Sequence, residues 1–253
     1  MMEALRVAAL AVLQGVAEFL PISSSGHLAI GREIMGLSEA GMRLDVFLHV
    51  GTLAAVFAFY RRVVIRMIAM REWAYMLKIA LSAVPVGVVG ILLRHRIGSA
   101  FSSPTAVACA FLLTGIVLIA TKWLRRGNGE VTWLNAFATG LAQAVAILPG
   151  VSRSGMTISA ARTMGVSPGR AAEFSFLMSA PPIAGAALLD VVSSGGAEAA
   201  GQTPWGLVVF GGAVSAAVGY LSLKVLVKML DSDRFWMFGP YCIAAALVVF
   251  IAV

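Results

Sequence analysis

The sequence predicts an all-α polytopic membrane protein in which six transmembrane helices and two re-entrant helix hairpins form an inverted repeat. Three observations lead to this fold class: the composition, a set of long apolar runs, and a short segment that occurs twice. Among 253 residues, 60% are hydrophobic and 12% are charged, and the mean hydropathy is +0.91. Soluble domains have roughly 45–50% apolar and about 25% charged residues. We therefore expect the lipid bilayer to surround this chain.

Six apolar runs have the length of a spanning helix, which needs about 20 residues to cross the hydrocarbon core. They are 44–60, 73–93, 103–123, 172–192, 205–227 and 235–253. Transmembrane β-strands would instead alternate in polarity over about ten residues. Two further apolar segments, 3–20 and 131–148, end at Pro21 and Pro149, so we do not predict that either forms a single spanning helix. We treat 1–253 as one integral membrane domain.

The basic residues behind the net charge of +7 fall mainly in short loops between the apolar runs, so no nucleic-acid partner is expected. By the positive-inside rule these loops are cytoplasmic. They contain Arg61, Arg62, Arg66, Arg71, Lys122, Arg125, Arg126, Lys224, Lys228 and Arg234. If each run crosses once, the turns at 94–102 and 193–203 and both termini face outside. Segment 3–42 then enters and leaves from the outer side, and segment 131–171 from the inner side.

A repeated segment appears when QGVAEFLPISSSGHL (14–28) is laid over QAVAILPGVSRSGMT (143–157) without a gap. The two copies share Gln, Val-Ala, a β-branched residue, Ser and Ser-Gly at equal offsets. Because the two segments have opposite expected orientations, they indicate an inverted repeat, as in many membrane transporters. Its halves cover about 3–93 and 131–227.

Each copy predicts a helix, a Pro/Gly/Ser break and a second short helix, which gives re-entrant hairpins at about 3–35 and 131–164. Proline ends the first helix because it lacks an N–H and clashes with the preceding turn. The serines after it are suited to cap the second helix. Such breaks are tolerated at membrane depth only inside protein or beside a water-filled cavity. Since helix N-termini attract anions, the two breaks predict an anionic ligand.

Ionisable residues lie in or beside the two breaks: Glu18, His27 and Arg153, with Gln14 one helical turn before Glu18. At membrane depth such residues are functional candidates by default. Together with a serine hydroxyl they suit phosphoryl chemistry, which depends on positioning and charge neutralisation, and a guanidinium grips phosphate through its planar fork. Two plainer interpretations stay open. Glu18 and Arg153 pair only to lock the hairpins together, and His27 is a satisfied core or cap residue.

Other polar or reactive residues carry weaker signals. Asp45 and His49 share one face of the next helix, and they act either as an inward-facing brace or as support for the site. Glu173 has the same two interpretations. Cys109 and Cys242 each stand alone in an apolar run, so we expect core packing and neither a disulfide nor a zinc site.

The residues of the two breaks resemble a known family, the undecaprenyl-pyrophosphate phosphatases, also called bacitracin resistance proteins. The family's first motif, (E/Q)-x-x-x-E, is similar to Gln14 to Glu18, which FLPISSSGH (19–27) follows. Its second motif, PGxSRSxxT, matches PGVSRSGMT (149–157) at every fixed position. Segment LDVFLHVGTLAAV (44–56) also resembles the family, so the resemblance spans the chain.

The resemblance implies an eight-helix fold with six spanning helices and two re-entrant pairs. It also implies an enzyme that hydrolyses the terminal phosphate of undecaprenyl pyrophosphate to undecaprenyl phosphate and inorganic phosphate, recycling the lipid carrier of cell-wall precursors. The expected location is the bacterial inner (cytoplasmic) membrane, with the active site facing the outer, periplasmic side. The expected cofactor is a divalent cation, Mg²⁺ or Ca²⁺.

Carried over to this chain, the resemblance implies that Glu18 is a metal ligand or acid/base group, helped by the amide oxygen of Gln14 where some members have a carboxylate. Ser24 or His27 would be the nucleophile, with attack by Ser24 assisted by His27 preferred and direct attack by His27 left open. Arg153 would hold the pyrophosphate. Further donors to phosphate, which helix capping explains equally well, are Ser23, Ser25, Ser152, Ser154 and Thr157.

A different class of function shares this predicted architecture, because secondary transporters are also built from inverted repeats with broken helices. A lipid-phosphate flippase or an ion-coupled carrier is therefore the alternative. The serine cluster and the PGVSRSGMT motif favour hydrolysis, since transport alone needs no nucleophile beside a phosphate clamp. A structural scaffold would leave the polar residues of the breaks unexplained. The sequence leaves open whether the protein forms a homodimer.

Overall fold

The computed structural model describes residues 2–36, 41–93, 103–193 and 203–252, which form twelve α-helices, two short 3₁₀-helices and no β-strand. The first six α-helices are α1 (Met2–Ala17), α2 (Ser24–Met35), α3 (Gly41–Phe59), α4 (Arg61–Ala69), α5 (Trp73–Leu92) and α6 (Pro104–Ala120). The others are α7 (Trp133–Val145), α8 (Arg153–Thr163), α9 (Pro168–Leu177), α10 (Ala180–Ser193), α11 (Trp205–Asp231) and α12 (Phe238–Ala252). The all-helical prediction is confirmed for the described residues.

Three helices are long and apolar enough to cross a membrane: α5, α6 with its 3₁₀ extension through Trp123, and α11. A fourth span results if α3 and α4, bent by 72° at Tyr60, are taken together. Only 17% of the most apolar stretch of α5 is buried inside the protein, so most of its side chains are left for lipid. These features fit a polytopic membrane protein with three to four apolar spans among the described residues.

The other predicted spans form shorter helices. The run at 172–192 was predicted to be continuous, but it is divided between α9 and α10 at Met178 and Ser179. Pro181 and Pro182 explain this break, because neither has an N–H to continue a helix from α9 and each restricts the residue before it. The run at 235–253 forms a short 3₁₀-helix followed by the 15 residues of α12.

Both predicted hairpins contain their two helices, α1 with α2 and α7 with α8. The first helix of each ends well before its proline, at Ala17 for Pro21 and at Val145 for Pro149. A proline in a continuing helix would clash with the carbonyl one turn earlier, so each helix stops one turn ahead of it. The breaks are thus wider than the proline positions alone predict.

The helices pack in pairs that are distant in the sequence. The longest helix, α11, lies along α3 and α1, while α12 lies along α6 and α5 lies along α7. Glycines permit close approach: a Cβ on Gly51 of α3 would lie 2.2 Å from the carbonyl oxygen of Gly212, and one on Gly140 of α7 would lie 2.6 Å from that of Ser82. Small residues at helix contacts are typical of membrane bundles. This packing brings the two hairpin breaks together.

Two of the basic loops lie at one end of the bundle. Arg126 donates to the carbonyl oxygen of Asp231 at 2.9 Å and lies 3.4 Å from the Asp233 carboxylate. The Lys122 ammonium lies 4.7 Å from the centre of the Trp236 ring. The loop after α6 and the turn after α11 are therefore on the same side, as the charge pattern predicts.

The predicted outward turns lie at 94–102 and 193–203. The first, and all but the end residues of the second, are outside the described residues. Both cysteines are free: Cys242 is buried as predicted, whereas Cys109 is exposed. The prediction of core packing is wrong for Cys109, because an apolar run in a membrane protein also supplies the outer face that contacts lipid.

Candidate active site

The second helix of each hairpin begins with the same serine cap. The Ser23 hydroxyl accepts the N–H of Gly26 at 3.5 Å, and the Ser152 hydroxyl accepts that of Gly155 at 3.1 Å. The prediction of serine capping is confirmed at these two positions. The next residue in each copy is the first residue of its helix, Ser24 in α2 and Arg153 in α8. Both side chains thus project from helix N-termini, where negative charge is favoured.

The backbone at both breaks adopts conformations that few residues accept. Gly150 has φ 92°, and a Cβ there would lie 2.5 Å from the carbonyl oxygen of Val107, so glycine is required. Ser23 has φ 70°, in the left-handed region that costs a non-glycine residue roughly 1–2 kcal/mol. Strain of this kind is often found at functional sites. It sets the direction in which Ser24 leaves the break.

Glu18 is the centre of the site and is only 7% exposed. Its Oε1 accepts a hydrogen bond from Arg153 Nη2 at 2.5 Å, and its Oε2 accepts one from Ser24 Oγ at 2.7 Å. Gln14 Nε2 donates to the same Oε2 at 3.2 Å. The structure therefore brings together four residues predicted from the sequence, which come from both hairpins.

This arrangement has the elements of nucleophilic catalysis. A serine hydroxyl that donates to a carboxylate can lose its proton to that carboxylate as it attacks. Arg153 uses Nη2 for Glu18, while its buried Nη1 has no hydrogen-bond partner among the described residues. That free donor is available to an anion, because a guanidinium presents several N–H groups in one plane.

His27 is turned away from this cluster. Its Nδ1 lies 2.8 Å from the Ser23 carbonyl oxygen, and its Nε2 lies 2.7 Å from the Tyr241 hydroxyl. A carbonyl can only accept, so Nδ1 carries the proton and Nε2 accepts the Tyr241 O–H. Both ring nitrogens are engaged, and the ring stacks on Tyr241 with centroids 5.7 Å apart. It is Glu18, rather than His27, that contacts the Ser24 hydroxyl.

The serines and threonine that were predicted to bind phosphate differ in accessibility. Ser25 lines the cavity described below, and its hydroxyl lies 3.4 Å from that of Ser23. Ser154 is 1% exposed, and its hydroxyl lies 3.3 Å from that of Ser152. Thr157 is fully buried and donates to the Arg153 carbonyl oxygen or to a neighbouring serine. Of this group, only Ser25 faces the cavity.

Helix α3 supplies a second ionic group beside Glu18. His49 Nε2 lies 3.8 Å from Glu18 Oε2, and His49 Nδ1 lies 2.8 Å from the Asp45 carbonyl oxygen. The Asp45 carboxylate forms an ion pair with Arg32 at 2.5 Å. Sequence reasoning missed Arg32, although its position two helical turns after Ser24 on α2 was a usable signal. These contacts are consistent with both interpretations of Asp45 and His49.

A cavity of about 430 Å³ opens at this cluster, a size in the range of ligand sites. Its polar lining comprises Glu18, Ser24, Ser25, Asp45, His49, Gln143, Arg153 and Ser179. Its apolar lining comprises Val46, Val86, Ala146, Ile147, Val151, Pro182, Ile183 and Ala187. A molecule with an anionic head and an apolar chain would satisfy both parts.

Oxygen donors suited to a hard divalent cation are present, but they do not form a complete cage. Gln14 Oε1 and Asp45 Oδ1 are buried acceptors without a hydrogen-bond partner among the described residues. Within the same residues, no three His, Cys, Asp or Glu side chains are grouped to hold a metal. Mg²⁺ commonly uses only one or two carboxylates and takes further ligands from phosphates and water. The residues therefore fit a cation that is shared with a phosphate ligand.

Known proteins resemble the chain over nearly its whole length. The family described as "Bacitracin resistance protein BacA" matches residues 7–248. The undecaprenyl-diphosphatase of Desulfatibacillum aliphaticivorans is 37% identical, over 98% of this chain and 98% of that protein. The corresponding protein of Halothermothrix orenii is 36% identical, over 99% and 98%. Undecaprenyl-diphosphatase 4 of Bacillus thuringiensis subsp. konkukian is 38% identical, over 92% and 90%.

Proposed function

The chain belongs to the bacitracin resistance protein family, and we propose on that basis that it is an undecaprenyl-diphosphatase. It hydrolyses the terminal phosphate of undecaprenyl pyrophosphate and yields undecaprenyl phosphate and inorganic phosphate. One observation in the site carries the proposal: a single buried carboxylate, Glu18, binds both the Ser24 hydroxyl and the Arg153 guanidinium. Base, nucleophile and phosphate clamp are thus in direct contact beside a cavity that is partly apolar.

In the proposed first step, Ser24 Oγ attacks the terminal phosphorus while Glu18 takes the hydroxyl proton. The bond from that phosphorus to the bridging oxygen breaks, and undecaprenyl phosphate leaves with the proton that Glu18 passes to it. In the second step the carboxylate of Glu18 takes a proton from a water, which attacks the phosphorus of the phosphoserine. The bond from phosphorus to Ser24 Oγ breaks, Glu18 returns the proton to Oγ, and inorganic phosphate is released. Arg153 binds phosphate oxygens through Nη1, and the N-termini of α2 and α8 add their positive ends. Charge neutralisation of this kind provides most of the catalysis in phosphoryl transfer.

We assign His27 a positioning role in this scheme, because both of its ring nitrogens are engaged. Ser25 is the additional serine that faces the cavity and is proposed to donate to phosphate. Ser23 and Ser152 hold the starts of the two helices. Ser154 and Thr157 would reach phosphate only after leaving their present buried partners.

A divalent cation, Mg²⁺ or Ca²⁺, is part of the proposal, with Glu18 and the free Gln14 Oε1 as its protein ligands. When bound, it would neutralise negative charge on the diphosphate. Gln14 donates through Nε2 to Glu18 and so holds the carboxylate in place with or without a cation.

We propose the full architecture of six spans and two re-entrant hairpins, in inverted repeats of about 3–93 and 131–227, in the cytoplasmic membrane. The similar caps of α2 and α8 support the repeat. The active site opens to the outer side. Along α3, Phe59 lies ten positions after His49, which at 1.5 Å per residue places His49 about 15 Å from the end of the helix that leads to Arg61.

The test is phosphate release from undecaprenyl pyrophosphate by the purified protein in detergent with Mg²⁺ or Ca²⁺. We expect release by the parent protein and its loss in Ser24→Ala. Arg153→Lys keeps the charge but loses the planar fork, and it should be strongly impaired. Ser222→Ala is the control, because that hydroxyl donates to the Val218 carbonyl oxygen within α11. Full activity of Ser24→Ala would exclude attack by serine, and an inactive parent would favour a lipid-phosphate carrier.

A further inference from the structure

Gln143, on α7, lines the same cavity as Glu18, Ser24 and Arg153, yet the scheme above gives it no role. It is 4% exposed, and its Nε2 has no hydrogen-bond partner among the described residues. Buried polar groups in folded proteins are nearly always hydrogen-bonded, and each exception needs an explanation. A donor left free beside a ligand cavity indicates that the ligand supplies its acceptor.

The aligned glutamine of the first hairpin shows why Gln143 is left free. Gln14 donates through Nε2 to Glu18, one helical turn further along α1. In the second hairpin, the residue one turn after Gln143 is Ile147, whose side chain has no atom that can accept a hydrogen bond. The same residue type therefore has an internal partner in one copy and lacks that partner in the other.

The missing partner must be an acceptor. Arg153 Nη1, the other unpartnered buried donor of the cavity, has the same requirement. The oxygens of a diphosphate satisfy both donors at once. The terminal torsion of glutamine is broad, so the amide can present its N–H to the cavity without moving the helix.

We propose that Gln143 binds the substrate diphosphate by donating its side-chain N–H to the phosphate that stays on the lipid. The inference rests on the proposed diphosphatase function. Ala146 and Ile147, which follow Gln143 on α7, line the cavity with apolar atoms. Gln143 therefore lies where phosphate oxygens meet the prenyl chain, whereas Ser24 is at the phosphate under attack. A neutral amide also binds the phosphate of the product, undecaprenyl phosphate, less strongly than a second arginine at this position would.

The decisive variants are Gln143→Leu, which keeps the size and removes the donor, and Gln143→Glu, which keeps the shape and adds a negative charge. For Gln143→Leu we expect kcat/KM for undecaprenyl pyrophosphate to fall roughly 10- to 100-fold, as for a lost hydrogen bond to a charged group. For Gln143→Glu we expect kcat/KM to fall further, because the added carboxylate repels phosphate. Competitive inhibition by undecaprenyl phosphate should weaken by the same factor, while inhibition by inorganic phosphate stays unchanged.

The control is Thr139→Val, one turn earlier on α7. The Thr139 hydroxyl donates to the Asn135 carbonyl oxygen at 2.6 Å, and the residue is not part of the cavity lining. This variant should retain parental kinetics. If Gln143→Leu does not fold, Gln143→Glu allows the same comparison of the two inhibitors.

Two outcomes would overturn the inference while the proposed function stands. One is an unchanged kcat/KM in both Gln143 variants, and the other is an equal weakening of inhibition by undecaprenyl phosphate and by inorganic phosphate. An inactive parent protein would instead contradict the proposed diphosphatase function. Failure of the Gln143 inference and failure of the proposed function are therefore distinguishable.

Discussion

The two carboxylate oxygens of Glu18 face different partners. Oε1 binds a guanidinium, while Oε2 binds a hydroxyl and an amide. Arg153 donates to Glu18 through Nη2 and keeps Nη1 free for an anion. In the proposed scheme, phosphate oxygens that bind the guanidinium weaken its hold on Glu18, so this carboxylate becomes a stronger acceptor for the Ser24 proton. Substrate binding and activation of the proposed nucleophile would then be coupled through this one side chain.

The Glu18–Arg153 pair leads to a prediction about stability. Arg153→Met leaves a buried carboxylate without its counter-charge, which typically costs roughly 3–5 kcal/mol. Glu18→Gln/Arg153→Met removes both charges, and we expect it to recover most of that loss while remaining inactive. Unfolding by SDS titration and phosphate release, measured on the same preparations, test this expectation. If the double variant were as unstable as Arg153→Met, the pair would not be the cause.

The pairing of His27 with Tyr241 leads to a second prediction. If His27 positions α2 through Tyr241, then His27→Gln and Tyr241→Phe should each lower kcat without abolishing it. The double variant should be little worse than the more impaired single variant, because the two changes remove the same contact. Kinetics of the four proteins in a double-mutant cycle provide the measurement. Complete inactivation by His27→Gln with an active Tyr241→Phe would point to direct chemistry at the imidazole.

For single residues, the sequence predicts two kinds of contact: those between residues on one face of a helix, and those between the two copies of the repeat. The spacing of Gln14 and Glu18 on one helix face predicts their contact, and the alignment of the two breaks predicts that Arg153 belongs with them. The direction of the His27 ring was not predictable in this way. Its ring is engaged by Tyr241, on α12 near the other end of the chain. Such distant partners leave no local pattern.

At the scale of helices, the contact between α3 and α11 depends on Gly51. Gly51→Ala would force a Cβ to 2.2 Å from the Gly212 carbonyl oxygen, so the helices must separate. We expect a loss of about 1–3 kcal/mol from overpacking and reduced activity, because α3 carries Asp45 and His49. SDS unfolding and phosphate release are the measurements.

A matched control for Gly51→Ala is available on α5. A Cβ on Gly87 would meet no atom within 4 Å, so Gly87→Ala should be neutral or stabilising by about 0.5–1 kcal/mol. If the two variants behaved alike, close packing at Gly51 would not explain the glycine.

A proline inside an apolar run does not by itself divide it, because α5 continues through Pro85, whereas the adjacent Pro181 and Pro182 lie where run 172–192 is divided. Runs 73–93 and 103–123 correspond closely to α5 and to α6 with its 3₁₀ extension. Run 172–192 is uniformly apolar, so length alone predicts one span, yet Pro181 and Pro182 divide it. The composition of a run specifies its environment, but its continuity depends on where and how often proline interrupts the backbone hydrogen bonds.

For the whole molecule, the charge pattern predicts which end faces the cytoplasm. With the basic loops inside and six crossings, the C-terminus after α12 should face outside. An alkaline phosphatase fused there should be active, while a fluorescent protein at the same position should stay dark. Fusions at Gly127, in a basic loop, should show the reverse pattern. A fluorescent C-terminal fusion would require a site that faces the cytoplasm.

The lateral arrangement of helices was beyond sequence reasoning. Hydropathy finds apolar segments but does not distinguish a face that meets lipid from one that meets another helix, since both are apolar. Thus α1 packs on α11 and α12 packs on α6, although these partners are far apart in the chain. The repeat alone indicated that two distant segments would meet.

The ion pairs of the site also determine how membrane voltage acts on this protein. Glu18 is balanced by Arg153, and Asp45 is balanced by Arg32, so the four side chains carry no net charge. An electric field does work on each charge that moves across it, about 2.3 kcal/mol per elementary charge per 100 mV, and the contributions of two opposite charges that move together cancel. Membrane voltage therefore does no net work on these two pairs as long as each pair stays together. In the proposed reaction, the entry of the lipid anion and the departure of the freed phosphate are the steps in which net charge moves.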